Sequence, residues 1–353
     1  MIEREDAGLA SDIVAYSMEE LKKYFEGIGQ KPFRAKQVYE WLHKKNVDAF
    51  EEMTNISADM QKQLERDFFI EQLTIVKVLT SKIDGTQKFL FRLRDGNVIE
   101  SVLMRYKHGN SVCISTQVGC RMGCRFCAST LDGLERNLTS SEMLKEIYTV
   151  QKYCGERISN IVLMGSGEPM DNFDNVVALI NKISDENGLH ISQRNITIST
   201  CGLIDNMKRF ADLGMQVTLA LSLHAAEDDT RKELMPIARR YTISQELEAC
   251  RYYFEKTGRR VTFEYSLVAG VNDNIGEAKK LVSLIRGMNC HVNLIPVNPI
   301  KERDYQKSSA ASVAEFKKYL EKNGINATIR REMGSDIQGA CGQLRKSFIE
   351  DET

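Results

Sequence analysis

Beyond about residue 111, short β-branched apolar runs alternate with segments whose apolar residues recur every three or four positions. The runs fall at 112–117, 158–164, 195–200, 216–223, 260–267 and 290–296. Helical periodicity separates them at 140–153, 173–185, 205–213, 244–256 and 277–287, and a last helix at 312–323 precedes a candidate strand at 327–331. This alternation predicts an α/β fold with a parallel sheet under covering helices. About six such units make an incomplete parallel (β/α)6 barrel, with chemistry at the C-terminal ends of the strands. Ahead of it, residues 72–106 alternate as three strands, roughly 74–83, 87–93 and 98–106, with Asp84-Gly85 and Asp95-Gly96 in the gaps as hairpin turns. Residues 11–70 read as mostly helical. One helix is expected over 11–27, with Ile13, Val14, Leu21 and Tyr24, and another over 33–45, with Val38, Trp41 and Leu42 on one side. The expected organisation is a helical N-terminal domain at 1–71, a β extension at 72–110 and a large α/β domain at 111–353.

Charge changes this picture little. The net formal charge is −1, which argues against a general nucleic-acid coat, although Lys31, Arg34, Lys36, Lys44 and Lys45 make the second helical segment basic. That segment is either a solvated face or a small RNA-docking surface. No apolar run approaches the roughly 18–20 residues that span a bilayer. The first ten residues lack a basic-then-apolar signal, so a cytoplasmic protein is expected. Nine cysteines, an odd number, point in a reducing compartment to metal or catalysis rather than structural bridges.

Three of them fall in Cys120-Arg121-Met122-Gly123-Cys124-Arg125-Phe126-Cys127. Buried apolar cysteines would not cluster beside two arginines and a glycine. Zinc sites usually close with four ligands, and no second knuckle follows at suitable spacing. Three thiolates on one loop suit a [4Fe–4S] cluster with one iron left open. Met164-Gly165-Ser166-Gly167-Glu168-Pro169 closes the next strand, Ser199 and Ser222-Leu223-His224 end the two after that, and Asn298 follows the strand at 290–296. Each alone is bland, since polar residues at strand ends are usually caps and a lone histidine is usually structural. Their shared position at successive strand ends favours one ligand site.

The CxxxCxxC spacing after a first strand resembles the radical S-adenosylmethionine (SAM) superfamily. That resemblance implies that Cys120, Cys124 and Cys127 hold the cluster. It also implies that Gly167, Glu168, Ser199, Ser222, Leu223, His224 and Asn298 bind SAM, with the glycines letting the backbone approach it. Further segments are similar to the adenine-C2 RNA methyltransferases of the RlmN family: Phe33-Arg34-Ala35-Lys36-Gln37, Glu100-Ser101-Val102, Ser111 to Ser115, Gln117 to Cys120, Arg136-Asn137-Leu138, Pro296-Val297-Asn298 and Ala340-Cys341-Gly342-Gln343-Leu344. The likeness covers almost the whole chain. It departs at Ser166, where the family commonly has a bulkier residue, and at Gln338-Gly339, where Asp-Ala is more usual.

Adenine C2 is electron-poor, so polar methyl transfer to it would fail, whereas a carbon radical can add. The resemblance implies that Cys341 takes a methyl group from one SAM. A 5′-deoxyadenosyl radical from a second SAM then activates that group for addition to C2. Glu100 is the implied proton acceptor and Cys113 the thiol that releases product through a transient disulfide with Cys341. On pattern alone, Cys113 and Glu100 are ordinary strand residues and Cys341 sits in a plain small-residue turn. Cys154, Cys201, Cys250 and Cys290 are given no chemistry. The implied substrates are 23S rRNA at the peptidyl-transferase centre and tRNA at the adenine 3′ of the anticodon. A low-potential electron donor such as flavodoxin or ferredoxin and a monomeric state are also expected. Arg121 and Arg125 are candidate phosphate contacts. Two rivals are a C8-methylating enzyme, disfavoured by Glu168-Pro169, and a protein-directed radical SAM activase, which leaves Cys113 and Cys341 unexplained. A third is a metal-bearing RNA-binding module without SAM chemistry.

Overall fold

The computed structural model describes residues 10–300, 302–339 and 343. Its centre is a ten-stranded sheet whose spatial order is the chain order. Strands β1 (Thr74–Thr80), β2 (Gln87–Arg92) and β3 (Val98–Tyr106) lead antiparallel into β4 (Gly109–Ile114). From β4 the sheet is parallel through β5 (Ile158–Leu163), β6 (Ile196–Thr200), β7 (Thr218–Ser222), β8 (Val261–Leu267), β9 (Cys290–Pro296) and the short β10 (Ala327–Ile329). The six expected strand–helix units are present, with β10 as a further parallel edge, and the barrel is incomplete. The expected β extension is continuous with the barrel sheet.

Ten α-helices accompany the strands: α1 (Met18–Gly27), α2 (Phe33–His43), α3 (Ala58–Asp67), α4 (Ser140–Cys154), α5 (Phe173–Ser184), α6 (Ile204–Asp212), α7 (Asp228–Leu234), α8 (Ile243–Thr257), α9 (Ile275–Ile285) and α10 (Ala310–Lys322). None is long and apolar enough to cross a membrane. The helix expected over 11–27 is broken. Ser11–Asp12 pairs with Phe68–Phe69, Ile13–Ala15 makes a single 3-10 turn, and α1 starts only after Ser17. The reason is local: Ser17 and Glu20 form a reciprocal capping box, and the Asp12 carboxylate caps Val14 N–H. Both break an apolar period that reads straight through.

The loop expected to turn at Asp84-Gly85 spans residues 81–86, closed by Ser81 N–H donating to Thr86 O (2.8 Å). The strand expected over 112–117 also stops early, at Ile114. Gln117–Gly119 instead pairs antiparallel with Leu134–Asn137, so the cysteine loop is held between the arms of a small separate hairpin.

The N-terminal helices share one apolar core with the barrel: Ile13, Val14, Val38, Leu42 and Leu64 belong to the same buried cluster as Ile147, Leu179 and Ile198. Polar contacts cross the same seam. Tyr39 hydroxyl donates to Asp185, and Lys182 Nζ donates to Tyr16 O (2.8 Å).

Candidate functional site

The C-terminal ends of β5 to β9 and the loop between Gly119 and Gly133 border a cavity that opens to solvent. Its walls include Cys120, Cys124, Cys127, Gly167, Glu168, Ser199, Ser222, His224 and Asn298, so most of the residues expected to hold cluster and SAM face one space. Leu223 is the exception. It is fully buried in the main core and does not line the cavity. Its backbone serves the site instead, its N–H donating to Glu264 O (3.1 Å) and its carbonyl accepting from Arg231 Nε (2.9 Å).

The cysteine loop is anchored where the hairpin closes. Cys120 N–H donates to Gly133 O (2.8 Å), and a Cβ on Gly119, at φ +75°, would stand 2.0 Å from that oxygen. Burial pushes the Cys120 thiol up to about 12, and Cys124 also lies well above the ordinary thiol range. Ionising several thiols in such a place is costly unless cationic metal is beside them. Three thiols carried by one loop into one cavity are a donor set that fits an iron–sulfur cluster with one iron left open.

The glycines beside Glu168 line the cavity and are also tightly packed on their other side. A Cβ on Gly165 would lie 2.6 Å from Ile114 O, and one on Gly167, at φ +104°, 2.6 Å from Gln117 Cβ. Ile114 at the end of β4 requires glycine at the first position, and Gln117 at the start of the small hairpin requires it at the second. Glu168 accepts from Met170 N–H (3.0 Å) and Cys201 N–H (2.8 Å), which aims the carboxylate along the cavity wall, and burial raises its pKa. Ser199 and Ser222 stand side by side, hydroxyls 3.2 Å apart.

His224 has φ +55°, and its Nδ1 accepts from Ser266 N–H (2.9 Å). The proton therefore sits on Nε2. Burial, aided by the charge of Arg231, lowers its pKa to about 3, so the ring is a neutral donor at any physiological pH. Arg231, wholly buried, bonds Cys201 O (2.9 Å) and Ser222 O (3.1 Å) as well as Leu223 O, and pairs with Glu246 (2.7 Å). It thus holds the ends of β6 and β7 in mutual register.

A second cavity adjoins the first and shares Ile295, Asn298 and Arg330 with it. Met104, Tyr106, Pro296 and Met333 complete much of its wall. Cys113 is buried beside it, clustered with Val102, Met104, Met333 and Met164. Glu100 lies on the same face of β3 as Val102, two residues along, opposite the C-terminal end of β4, where Ser115 Oγ donates to its carbonyl (2.8 Å). Its carboxylate is buried and accepts from Lys88 Nζ (3.1 Å). Cys341, the expected methyl carrier, lies outside the described residues, as does any bond it makes. No disulfide is found among the described residues.

Arg121 pairs with Asp171 and is largely exposed, and Arg125 is exposed on the same loop. Several participants went unassigned in the sequence: Cys201, Glu264, Met235 and Arg330 in the wall, Lys88 and Arg231 behind it. Cys201 carried the one usable signal, since it directly follows the end of β6.

Residues 11–70 match the model for the ribosomal RNA large subunit methyltransferase N-terminal domain, and residues 114–282 match that of the radical SAM superfamily. The chain is 59% identical over 341 residues to a probable dual-specificity RNA methyltransferase RlmN of Lachnospira eligens, covering 97% of both chains. It is 60% identical over 339 residues to the one so named in Lachnoclostridium phytofermentans, covering 96% of this chain and 95% of the relative. The crystal structure of a radical SAM methyltransferase from Sphaerobacter thermophilus superposes with a TM-score of 0.91 at 40% identity, over 95% of this chain and 99% of that one. With a barrel, a cysteine loop and a strand-end cavity of this kind, and identity running nearly end to end, the chain belongs to the RlmN family of radical SAM RNA methyltransferases.

Proposed function

We propose that this protein methylates C2 of adenine in 23S rRNA and in tRNA, with Cys341 as methyl carrier. The observation that carries the reading is the convergence of all three cluster cysteines and the strand-end residues on one cavity, continuous with a chamber walled by Met104, Met333 and Arg330. Cys120, Cys124 and Cys127 would hold a [4Fe–4S] cluster. Glu168, Ser199, Ser222, His224 and Asn298 would hold SAM, with Gly167 and the Leu223 backbone shaping the wall. When bound, the pair supplies both a methyl group and a hydrogen-abstracting radical.

The chain's own groups do the rest. Neutral His224 donates from Nε2 without adding charge. Glu168 offers acceptor lone pairs to an ammonium group. The apolar surroundings of Cys113 exclude water from the resolving thiol, whose attack on the sulfur of Cys341 would free the product and leave a disulfide for cytosolic reductants. Glu100, ion-paired with Lys88, accepts the proton from C2. The target adenine must leave its stack to reach this chamber, so loop or distorted RNA is the fitting substrate. The N-terminal helices are the proposed RNA-docking unit, in a domain arrangement of 1–71, 72–110 and 111–353. The electron donor would be a low-potential flavodoxin or ferredoxin, and the enzyme is proposed to work in the cytoplasm as a monomer.

The test is anaerobic turnover of the reconstituted protein with SAM, reductant and an unmodified tRNA or rRNA fragment, followed by nucleoside mass spectrometry. We expect 2-methyladenosine from the parent and none from Cys341→Ala. Appearance of 8-methyladenosine instead would move the chemistry to C8. SAM cleavage with no modified base would end the RNA assignment.

A further inference from the structure

The segment after β10 does not stay at its edge of the sheet. It crosses the open side of the barrel and docks on the opposite end, the β1–β2 hairpin. Met333 packs with Val102, Met104 and Cys113. Gly334 N–H donates to Asp84 Oδ2 (3.0 Å), and Lys82 N–H donates to Asp336 Oδ2 (2.9 Å). Gly334 has φ +62°, and an added Cβ would meet Thr86 Cγ2 at 3.0 Å, so the strap lies flat on the hairpin. Hydrogen bonding holds the Asp84 carboxyl below its ordinary range, Gly334 N–H being one of its donors. The last anchor is Lys88. Its ammonium, on a side chain with no exposed surface, bonds Glu100 Oε1 (3.1 Å) and also donates to Gln338 O (3.4 Å). Gln338 stands three positions before Cys341 in the chain.

We infer that Lys88 is a positioning residue that sets the proton-accepting carboxylate and the cysteine-bearing strap in register, with the β1–β2 hairpin as its mount. One buried cation touches both the Glu100 carboxylate and the backbone that leads to Cys341. A buried ammonium has a high desolvation cost, and a lone ion pair seldom repays it in stability. A second of its three donors goes to the backbone carbonyl of Gln338. This inference rests on the proposed reaction for its catalytic consequence, but the tether is a matter of structure alone.

The experiment has two arms. In the first, Lys88→Met and Asp84→Ala are compared with the parent for iron content, 5′-deoxyadenosine formed and 2-methyladenosine formed. Loss of one charge-assisted hydrogen bond is worth about tenfold. The yield of 2-methyladenosine per 5′-deoxyadenosine should therefore fall about that far in Lys88→Met, and less in Asp84→Ala, with iron content unchanged. A ratio equal to that of the parent would overturn the assignment. Removing only the cation costs the buried carboxylate its ammonium partner, and a general fall of iron content and SAM cleavage in Lys88→Met would mark misfolding. The second arm covers that case by comparing Lys88→Met/Glu100→Gln with the parent, since removing both partners of the pair strands neither charge.

Amide hydrogen exchange over residues 333–339 should be about tenfold faster in the double variant than in the parent, with exchange over β3 unchanged, since only the strap loses its tether. Equal exchange would overturn the inference. A parent that makes no 2-methyladenosine would defeat the proposed reaction, while the exchange arm would still decide whether Lys88 holds the strap.

Discussion

His43 is fully buried between Tyr39 and Tyr148, its Nδ1 3.0 Å from the Tyr148 hydroxyl. Burial first, then the charges of Lys182 and Lys145, hold its pKa well below 6.5. In the unfolded chain the same ring takes up a proton near pH 6.5, whereas the folded protein does not. The unfolded state therefore binds more protons below that pH, and folding stability falls as pH falls through it. Replacing the ring removes this dependence. Between pH 7.5 and 5.5, the stability of His43→Phe relative to the parent should improve by about 1 kcal/mol. Denaturant titrations at the two pH values check this, and parallel losses in both proteins would refute it. At this scale the sequence was legible where meaning is local. Cys120, Cys124 and Cys127 announce themselves by spacing. Lys88, Glu264 and Arg330 could not, because each is a charge in or beside an apolar run whose role depends on which strand lies next to it.

At the scale of elements, the parallel strands and their helices follow the hydrophobic pattern closely, because each buries a face with its own period. The failures are places where tertiary hydrogen bonds end an element in mid-pattern. Apolar alternation runs from Val112 through Val118, yet β4 stops at Ile114. There Ser115 N–H is drawn to Glu146 (3.0 Å), and Thr116 N–H is drawn to Ser166 O (2.8 Å). The hairpin made by that break carries the cysteine loop. Gly119→Ala would force a Cβ onto the Gly133 carbonyl and separate its arms. We expect the variant to reconstitute with less iron per chain while unfolding as cooperatively as the parent. Iron analysis beside thermal unfolding checks both, and full iron content would show that the loop tolerates the shift.

For the molecule as a whole, the sequence suggested a helical domain, a linker and a barrel, whereas the structure joins all three through one core and one sheet. Domain boundaries were hard to read because the contacts that erase them, such as His43 with Tyr148 and Tyr39 with Asp185, link positions about a hundred residues or more apart. The basic face of α2 stays outside that core. Lys31 and Lys36 are exposed, and Arg34 lies half-buried against Phe33 and Gln37. Replacing all three with alanine should weaken RNA binding and flatten its dependence on log salt by about 2, the slope for three lost phosphate contacts on single strands. Filter binding over a salt series measures this, with iron content as the control, and an unchanged slope would remove α2 from the interface.

The strand order has a consequence for synthesis. Because every strand of the main sheet lies beside its chain neighbour, a growing polypeptide can add each one to an edge already made, without threading between earlier strands. The cysteine loop, Glu168, Ser199, Ser222 and His224 all belong to strand ends laid down before β8. The strap that leads to Cys341 is made last and closes over a chamber whose walls are already standing. On a ribosome, the groups proposed to hold the cluster are thus assembled before Cys341, the proposed methyl carrier, has emerged.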